Sequence, residues 1–167
     1  MKTILITGAT SGIGLAAAKK LANSKNNLIL CGRRQHKLDE ISNELSKITN
    51  VLSLSFDVSD KKEVNKVLEN IPEEFSAIDI LINNAGNAHG LDTIQDGSLD
   101  DWDNMIDSNV KGLLYVSRVI MPKMIEQKSG HIINIGSLAG REVYEKGNIY
   151  CATKHAVNAI SKAMRID

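Results

Sequence analysis

The stretch "TGATSGIG", Thr7 to Gly14, follows directly on the β-rich apolar run "TILIT" at 3–7 and opens a helix-compatible segment. Few sequence features restrict a fold more tightly. Glycines at the junction of a strand and a helix let backbone approach a ligand without side chains in the way. The N–H groups and positive dipole end of the following helix then attract an anion. Gly8, Gly12 and Gly14 have the spacing GxxxGxG, one residue longer than the commonest dinucleotide fingerprint. The alternative is an ordinary strand-to-helix turn, which the full motif straight after an N-terminal strand disfavours. Gly8, Thr10, Ser11, Gly12, Ile13 and Gly14 are therefore candidate pyrophosphate-binding residues.

The rest of the chain repeats the strand-then-helix alternation. Runs at 27–31, 51–56, 78–83 and 131–136 carry Ile, Leu or Val without strict polar alternation, as strands buried on both faces do. Helical spacing is expected over Gly12–Asn23, His36–Ile48, Asp60–Asn70, Asp101 to about Gln127, and from about Tyr150 onward. Asp60 and either Asp100 or Asp101 are expected N-caps, and Pro122 is expected to end or kink the fourth helix. The pattern predicts an α/β fold of right-handed βαβ units, a parallel sheet of about five strands with helices on both faces. With 167 residues, 43% hydrophobic, and no linker or repeat, one domain over 1–167 is expected.

Residues at the end of the second strand, about 20 positions beyond the glycine turn, read the ribose of a dinucleotide. An NAD site would place Asp or Glu there, whereas this chain has "CGRR", with Arg33 and Arg34. Guanidinium forks suit a 2′-phosphate, so NADP is the preferred cofactor; solvated loop charges are the alternative. Asp57 and Val58 in "FDVSD", and Asn83, Ala85 and Gly86 in "NNAG", follow the third and fourth strands. Ligands of open α/β sheets bind at such carboxyl ends, so these residues are candidates for the adenosine side.

Tyr150 and Lys154 lie four residues apart on an expected helix, so they project from one face. A phenol is ordinarily a poor acid–base catalyst near neutrality, and a neighbouring ammonium favours its charged form. Ser137 ends the fifth strand at the same sheet edge as the glycine turn, where a hydroxyl can hold a substrate oxygen on which charge changes. YxxxK alone is a weak signal on a lysine-rich helix; a serine at a strand end and a dinucleotide turn strengthen it.

The remaining features narrow the partners. With 20 basic and 20 acidic residues, charge gives no reason to expect nucleic acid or an anionic membrane, and a small carbonyl or hydroxy compound is the expected partner. Two separate cysteines, Cys31 and Cys151, suggest a reduced, cytoplasmic protein. The four histidines show no metal-ligand spacing, so no metal is expected, and no apolar stretch reaches membrane-spanning length.

"TGATSGIG", "NNAG", "SNVKG", "INIGS" and "YCATK", in this order and spacing, resemble the motifs of the short-chain dehydrogenase/reductase family. The resemblance implies a Rossmann-type, doubly wound sheet in the order 3-2-1-4-5. It makes Tyr150 the general acid or base, Lys154 also a ligand of the nicotinamide ribose, and Ser137 the group that positions the substrate oxygen. It adds Asn109, in "SNVKG", as the asparagine that holds a water near the lysine. "GRRQHKLDEI" and "GHIINIGSLAGR" resemble the branch of NADP-dependent 3-hydroxy acid and serine dehydrogenases. A substrate of that class carries a carboxylate, for which Arg141 is a candidate partner and a surface arginine the preferred reading. A 3-oxoacyl thioester reductase shares the same motifs. The family's sheet continues past the YxxxK helix with two more strands and a substrate-covering segment, so the domain is expected to be C-terminally incomplete. A binding module without turnover is therefore a competing reading, as is a structural partner pairing through its exposed sheet edge. The family also implies a homodimer or homotetramer built on the helices at 101–127 and 150–167.

Overall fold

The computed structural model describes residues 1–166. Five strands alternate with helices: β1 (Lys2–Thr7), α1 (Gly12–Leu21), β2 (Asn26–Gly32), α2 (Gln35–Leu45), β3 (Asn50–Ser55), α3 (Lys61–Glu69), the short α4 (Glu73–Ser76), and β4 (Ile78–Asn83). There follow α5 (Leu99–Ile106), a π-helical segment (Asp107–Gly112), α6 (Leu113–Glu126), β5 (His131–Asn134), a 3₁₀ turn (Leu138–Gly140), and α7 (Asn148–Ala163). All strands pair in parallel, in the order β3-β2-β1-β4-β5, the Rossmann-type arrangement anticipated from the motifs.

Strand alternation explains why the central run is apolar at successive positions. In β1, Leu5 faces one helix layer, where it packs with Val64 and Leu68 of α3 and Val116 and Ile120 of α6. Ile4 and Ile6 face the other, against Ala18 of α1 and Leu38, Ile41 and Leu45 of α2. Both faces of the sheet are covered at β1, so its successive central residues Ile4, Leu5 and Ile6 are all apolar. Full burial of each such side chain is worth about 1.5–3 kcal/mol.

Three local expectations need correction. The fifth strand stops at Asn134 rather than 136, although Ile135 N–H still donates to Asn83 O at 2.9 Å. The fourth helix starts at Leu99 with Ser98 as its N-cap, whose Oγ accepts from Asp101 N–H at 3.3 Å. Asp100 and Asp101 instead occupy the first turn, where carboxylates meet the positive end of the dipole. Pro122 does not end the helix: α6 runs through it to Glu126. Pro122 is exposed, while Val116, Ile120 and Met124 bury the opposite stripe, and that packing outweighs one missing N–H. Asp60 does cap α3, its Oδ1 accepting from Lys62 and Glu63 N–H at 2.8 and 3.1 Å.

Helix α5 passes into α6 through the π-helical segment, which the apolar spacing did not reveal. π-Turns insert a residue into a helix and recur at functional sites. Here the insertion carries Asn109 and lets Gly112 approach the third strand end. A Cβ on Gly112 would sit 2.8 Å from Val58 Cγ2.

Candidate active site

The carboxyl ends of the strands open into a cleft of about 600 Å³. Its floor is the turn after β1. Gly8 and Gly12 take φ of +65° and +53°, the left-handed region that favours glycine. Asn84 locks the turn from the neighbouring strand end: its amide donates to Thr7 O at 2.9 Å and Gly8 O at 3.1 Å. Thr7 Oγ1 in turn accepts from the N–H groups of Asn84 and Ala85, both at 3.0 Å. Gly14 lies behind this lock and does not line the cleft. A Cβ there would overlap Gly8 O and Asn84 Nδ2, so its role is close packing. Thr10, Ser11, Gly12 and Ile13 do line the cleft, and no side chain caps the first turn of α1. That turn therefore presents backbone donors to whatever enters.

The second strand end brings charge to the same place. Arg34 Nη2 donates to Thr10 Oγ1 at 2.8 Å and to Ser11 Oγ at 3.2 Å, laying the guanidinium beside the glycine turn. Arg33 Nη1 pairs with Asp57 Oδ2 at 3.4 Å. Burial pushes the Asp57 carboxyl up, but the Ser59 N–H and hydroxyl and the Arg33 guanidinium outweigh it, so the group titrates below the ordinary aspartate value. Both oxygens are thus already engaged within the chain, Oδ1 by Ser59 and Oδ2 by Arg33. Val58, Ala85 and Gly86 complete this wall.

Asn83 is a correction. Its side chain is buried, donating to Ser117 Oγ at 3.0 Å and Asn134 Oδ1 at 2.9 Å, and it does not line the cleft. The next residue, Asn84, takes the place expected of it, because successive side chains at a strand end point to opposite sides. Sequence reasoning also passed over Asn87, Ser108 and Gly136, all of which line the cleft. No spacing rule marks Asn87 and Ser108, which a long loop and the π-helical segment bring in, while Gly136 enters from the end of β5.

Tyr150 and Lys154 both line the cleft from α7. Lys154 is 8% exposed; its Nζ donates to Ile135 O at 2.9 Å and lies 5.9 Å from the centre of the Tyr150 ring. Burial lowers its pKa from the ordinary lysine value. Asn109 is buried beside them and fully used: Oδ1 accepts from Asn87 N–H at 2.8 Å, and Nδ2 donates to Asn87 O at 2.8 Å and Thr153 Oγ1 at 3.1 Å. It clamps the loop after β4 onto α7. Ser137 caps the 3₁₀ turn, its Oγ accepting from Ala139 N–H at 3.2 Å; it does not itself line the cleft, though its neighbour Gly136 does. Arg141 is exposed and lines neither this cleft nor the cavity beyond Tyr150. Among the described residues no three His, Cys, Asp or Glu side chains gather as a metal site, and no helix is long and apolar enough to cross a membrane.

This chemistry has close parallels. A family model described as short chain dehydrogenase matches residues 2–167. The NADP-dependent 3-hydroxy acid dehydrogenase of Schizosaccharomyces pombe is 47% identical over 167 residues, covering 98% of this chain and 64% of its own length. Its namesake in Escherichia coli K12 is 42% identical over 164 residues, 98% of this chain and 65% of that protein. Among solved structures, the closed form of serine dehydrogenase complexed with NADP+ superposes with a TM-score of 0.93 at 40% identity, covering 99% of this chain and 66% of that one. The chain thus spans about 65% of the length of the curated relatives it matches.

Proposed function

The chain belongs to the short-chain dehydrogenase family, and on that premise we propose that it serves an NADP-dependent oxidoreductase of small 3-hydroxy acids or serine-like compounds. The observation that carries this reading is the meeting of Tyr150 and a buried Lys154 in one cleft with the glycine turn and Arg34. The residues fit the cofactor. Gly12 has open space where its Cβ would stand, the first turn of α1 is uncapped, and a guanidinium lies alongside, a combination suited to phosphates. Asn87 Oδ1, buried in the cleft wall with no partner among the described residues, suits a ligand donor. The names of the relatives support NADP over NAD.

Bound NADPH would supply the hydride. Gly8, Gly12 and the α1 N-terminus would hold pyrophosphate, and Arg33 and Arg34 the 2′-phosphate. Asp57, Val58, Ala85 and Gly86 would wall the adenosine. Tyr150 Oη would donate a proton to the carbonyl oxygen of the substrate, or take it back from the hydroxyl in the reverse direction. The Lys154 ammonium opposes the negative charge that proton transfer leaves on Tyr150. It would also meet the ribose hydroxyls. Ser137 Oγ accepts from Ala139 N–H, which leaves its own proton unused, and from just behind Gly136 in the cleft wall the hydroxyl would position the substrate oxygen. Asn109, by clamping Asn87 and Thr153, would fix the wall against which these groups act.

The test is carbonyl-dependent oxidation of NADPH with short 3-oxo acids, and its reverse with serine and 3-hydroxypropionate. Activity is expected, and Tyr150→Phe should lower kcat about 10²- to 10⁴-fold while NADPH still binds. NADPH binding with no turnover of any carbonyl would leave a dinucleotide-binding module instead. A Tyr150→Phe protein as active as the parent would remove the proton-transfer role.

A further inference from the structure

A second cavity, of about 450 Å³, is lined by Tyr150 and by none of the residues of the glycine turn. It shares Ala88 and Tyr150 with the cleft, so the two adjoin at the tyrosine. Its other walls come from the loop after β4, from Met105 of α5, and from the segment Tyr144–Asn148 that leads into α7.

Lys146 and His89 line this cavity. The lining itself carries no carboxylate, while Asp92 Oδ2 and Asp101 Oδ2 stand 3.2 and 3.5 Å from where a Cβ on Gly90, in its wall, would lie. Glu142 and Glu145 are close to Lys146 in sequence, but neither reaches the cavity. Lys146 forms no salt bridge among the described residues. Its backbone is also unusual: φ is +63°, a left-handed conformation that residues with a side chain seldom adopt. The surroundings enforce it. Gly147 N–H donates to Tyr144 O at 3.0 Å, closing the turn, and the Tyr144 ring covers Gly147 so closely that a Cβ there would overlap it. Asn148 Nδ2 donates to Asp92 O at 2.9 Å, tying this turn to the loop opposite. A turn braced in this way holds a lysine at the lip of a cavity that begins at the reacting phenol.

We propose that this cavity receives the carboxylate end of a short oxo or hydroxy acid, with Lys146 as its ionic partner and His89 as a second donor. The inference rests on the reading that Tyr150 serves the carbonyl of the same substrate, and it assigns the anion to Lys146 in place of Arg141. A carboxylate two or three bonds from the carbonyl would then lie beside the phenol, on the side of Lys146 and His89. Apolar walls from Leu91 and Met105 leave room for a short chain between the two polar ends.

The test compares acetoacetate with its uncharged methyl ester. In Lys146→Met, the ratio of kcat/KM for acid over ester should fall about tenfold, through KM of the acid, and Lys146→Glu should lower it further. A ratio unchanged in both variants would overturn the assignment. Binding separates this outcome from failure of the oxidoreductase reading. Acetoacetate titrated into the isotope-labelled chain should shift the amide signals of His89 and Gly147, and Lys146→Glu should abolish those shifts. Were the parent unable to reduce any carbonyl, those shifts would still report the anion subsite. Their absence in the parent, or their persistence in Lys146→Glu, would remove it. The fold of each variant is checked by its unchanged amide spectrum away from the cavity.

Discussion

The glycine-turn side of the molecule and the Tyr150 side are built differently. Around the turn, backbone and side chains interlock: Thr7, Gly8, Asn84 and Ala85 share four hydrogen bonds, and Ile4, Leu5 and Ile6 beneath them are essentially fully buried. On the Tyr150 side, the loop after β4 and the segment that leads into α7 expose apolar groups: Leu91 at 65%, Leu138 at 83% and Val143 at 77%. The strand beneath them, β5, is four residues long and pairs on one side only among the described residues. One side is a rigid cradle; the other presents apolar surface around a fixed tyrosine. A ligand made of repeating, invariant parts suits the first, and a substrate that must enter and leave suits the second.

The sharpest way to break this contrast is to damage the cradle itself. Gly14→Val places branched carbon atoms against Gly8 O and Asn84 Nδ2, both held by the interlocked turn and unable to retreat. We expect a loss of about 3 kcal/mol or more, read as a lower denaturant midpoint, with NADPH binding lost alongside. Should the variant keep its stability, the turn is softer than its hydrogen bonds imply.

A gentler change separates charge from shape on the same side. Arg34→Ala removes a guanidinium that rests on Thr10 and Ser11 without touching the buried lock. The affinity for NADPH should fall about tenfold or more, one charge-assisted contact, while that for NADH changes little. Equal losses for both dinucleotides would mean that Arg34 supports the turn instead of reading a 2′-phosphate.

The two sides also differ in how far sequence revealed them. The strand order, the glycine turn and the Tyr150–Lys154 pair follow from local signals: apolar runs, glycine spacing and a four-residue helical interval. Asn83 and Asn84 show where such signals stop. Both stand in "NNAG", and only the twist of the strand end decides that Asn83 turns inward to Ser117 while Asn84 locks the glycine turn. Ser98 displaced Asp100 and Asp101 as a cap because all three are capping residues within one turn, and spacing cannot rank them. The π-helical segment was hidden for a similar reason. Apolar spacing averages over a long helix, and one inserted residue hardly disturbs it, yet that insertion sets Asn109 against Asn87. The Lys146 turn depends on a ring packed over Gly147, a tertiary contact with no periodic trace.

The smallest expected effect concerns Lys154, a charge buried between the two sides. Lys154 donates to Ile135 O, and burial depresses its pKa below the ordinary value of 10.5. A depressed lysine loses its proton in the folded state before the unfolded chain does. Between the folded pKa and 10.5 the unfolded chain therefore holds more protons, and stability should rise with pH across that window. Below the folded pKa both states are charged, so the group gives no slope and its burial penalty is fully present. Denaturant midpoints measured across the alkaline range should show this rise in the parent and lose it in Lys154→Met, which carries no proton to release. A rise that survives in Lys154→Met would assign it to another group. A parent with no rise at all would mean that the ammonium is better solvated than its contact with Ile135 indicates, and that the Tyr150 side is open to water even at its base.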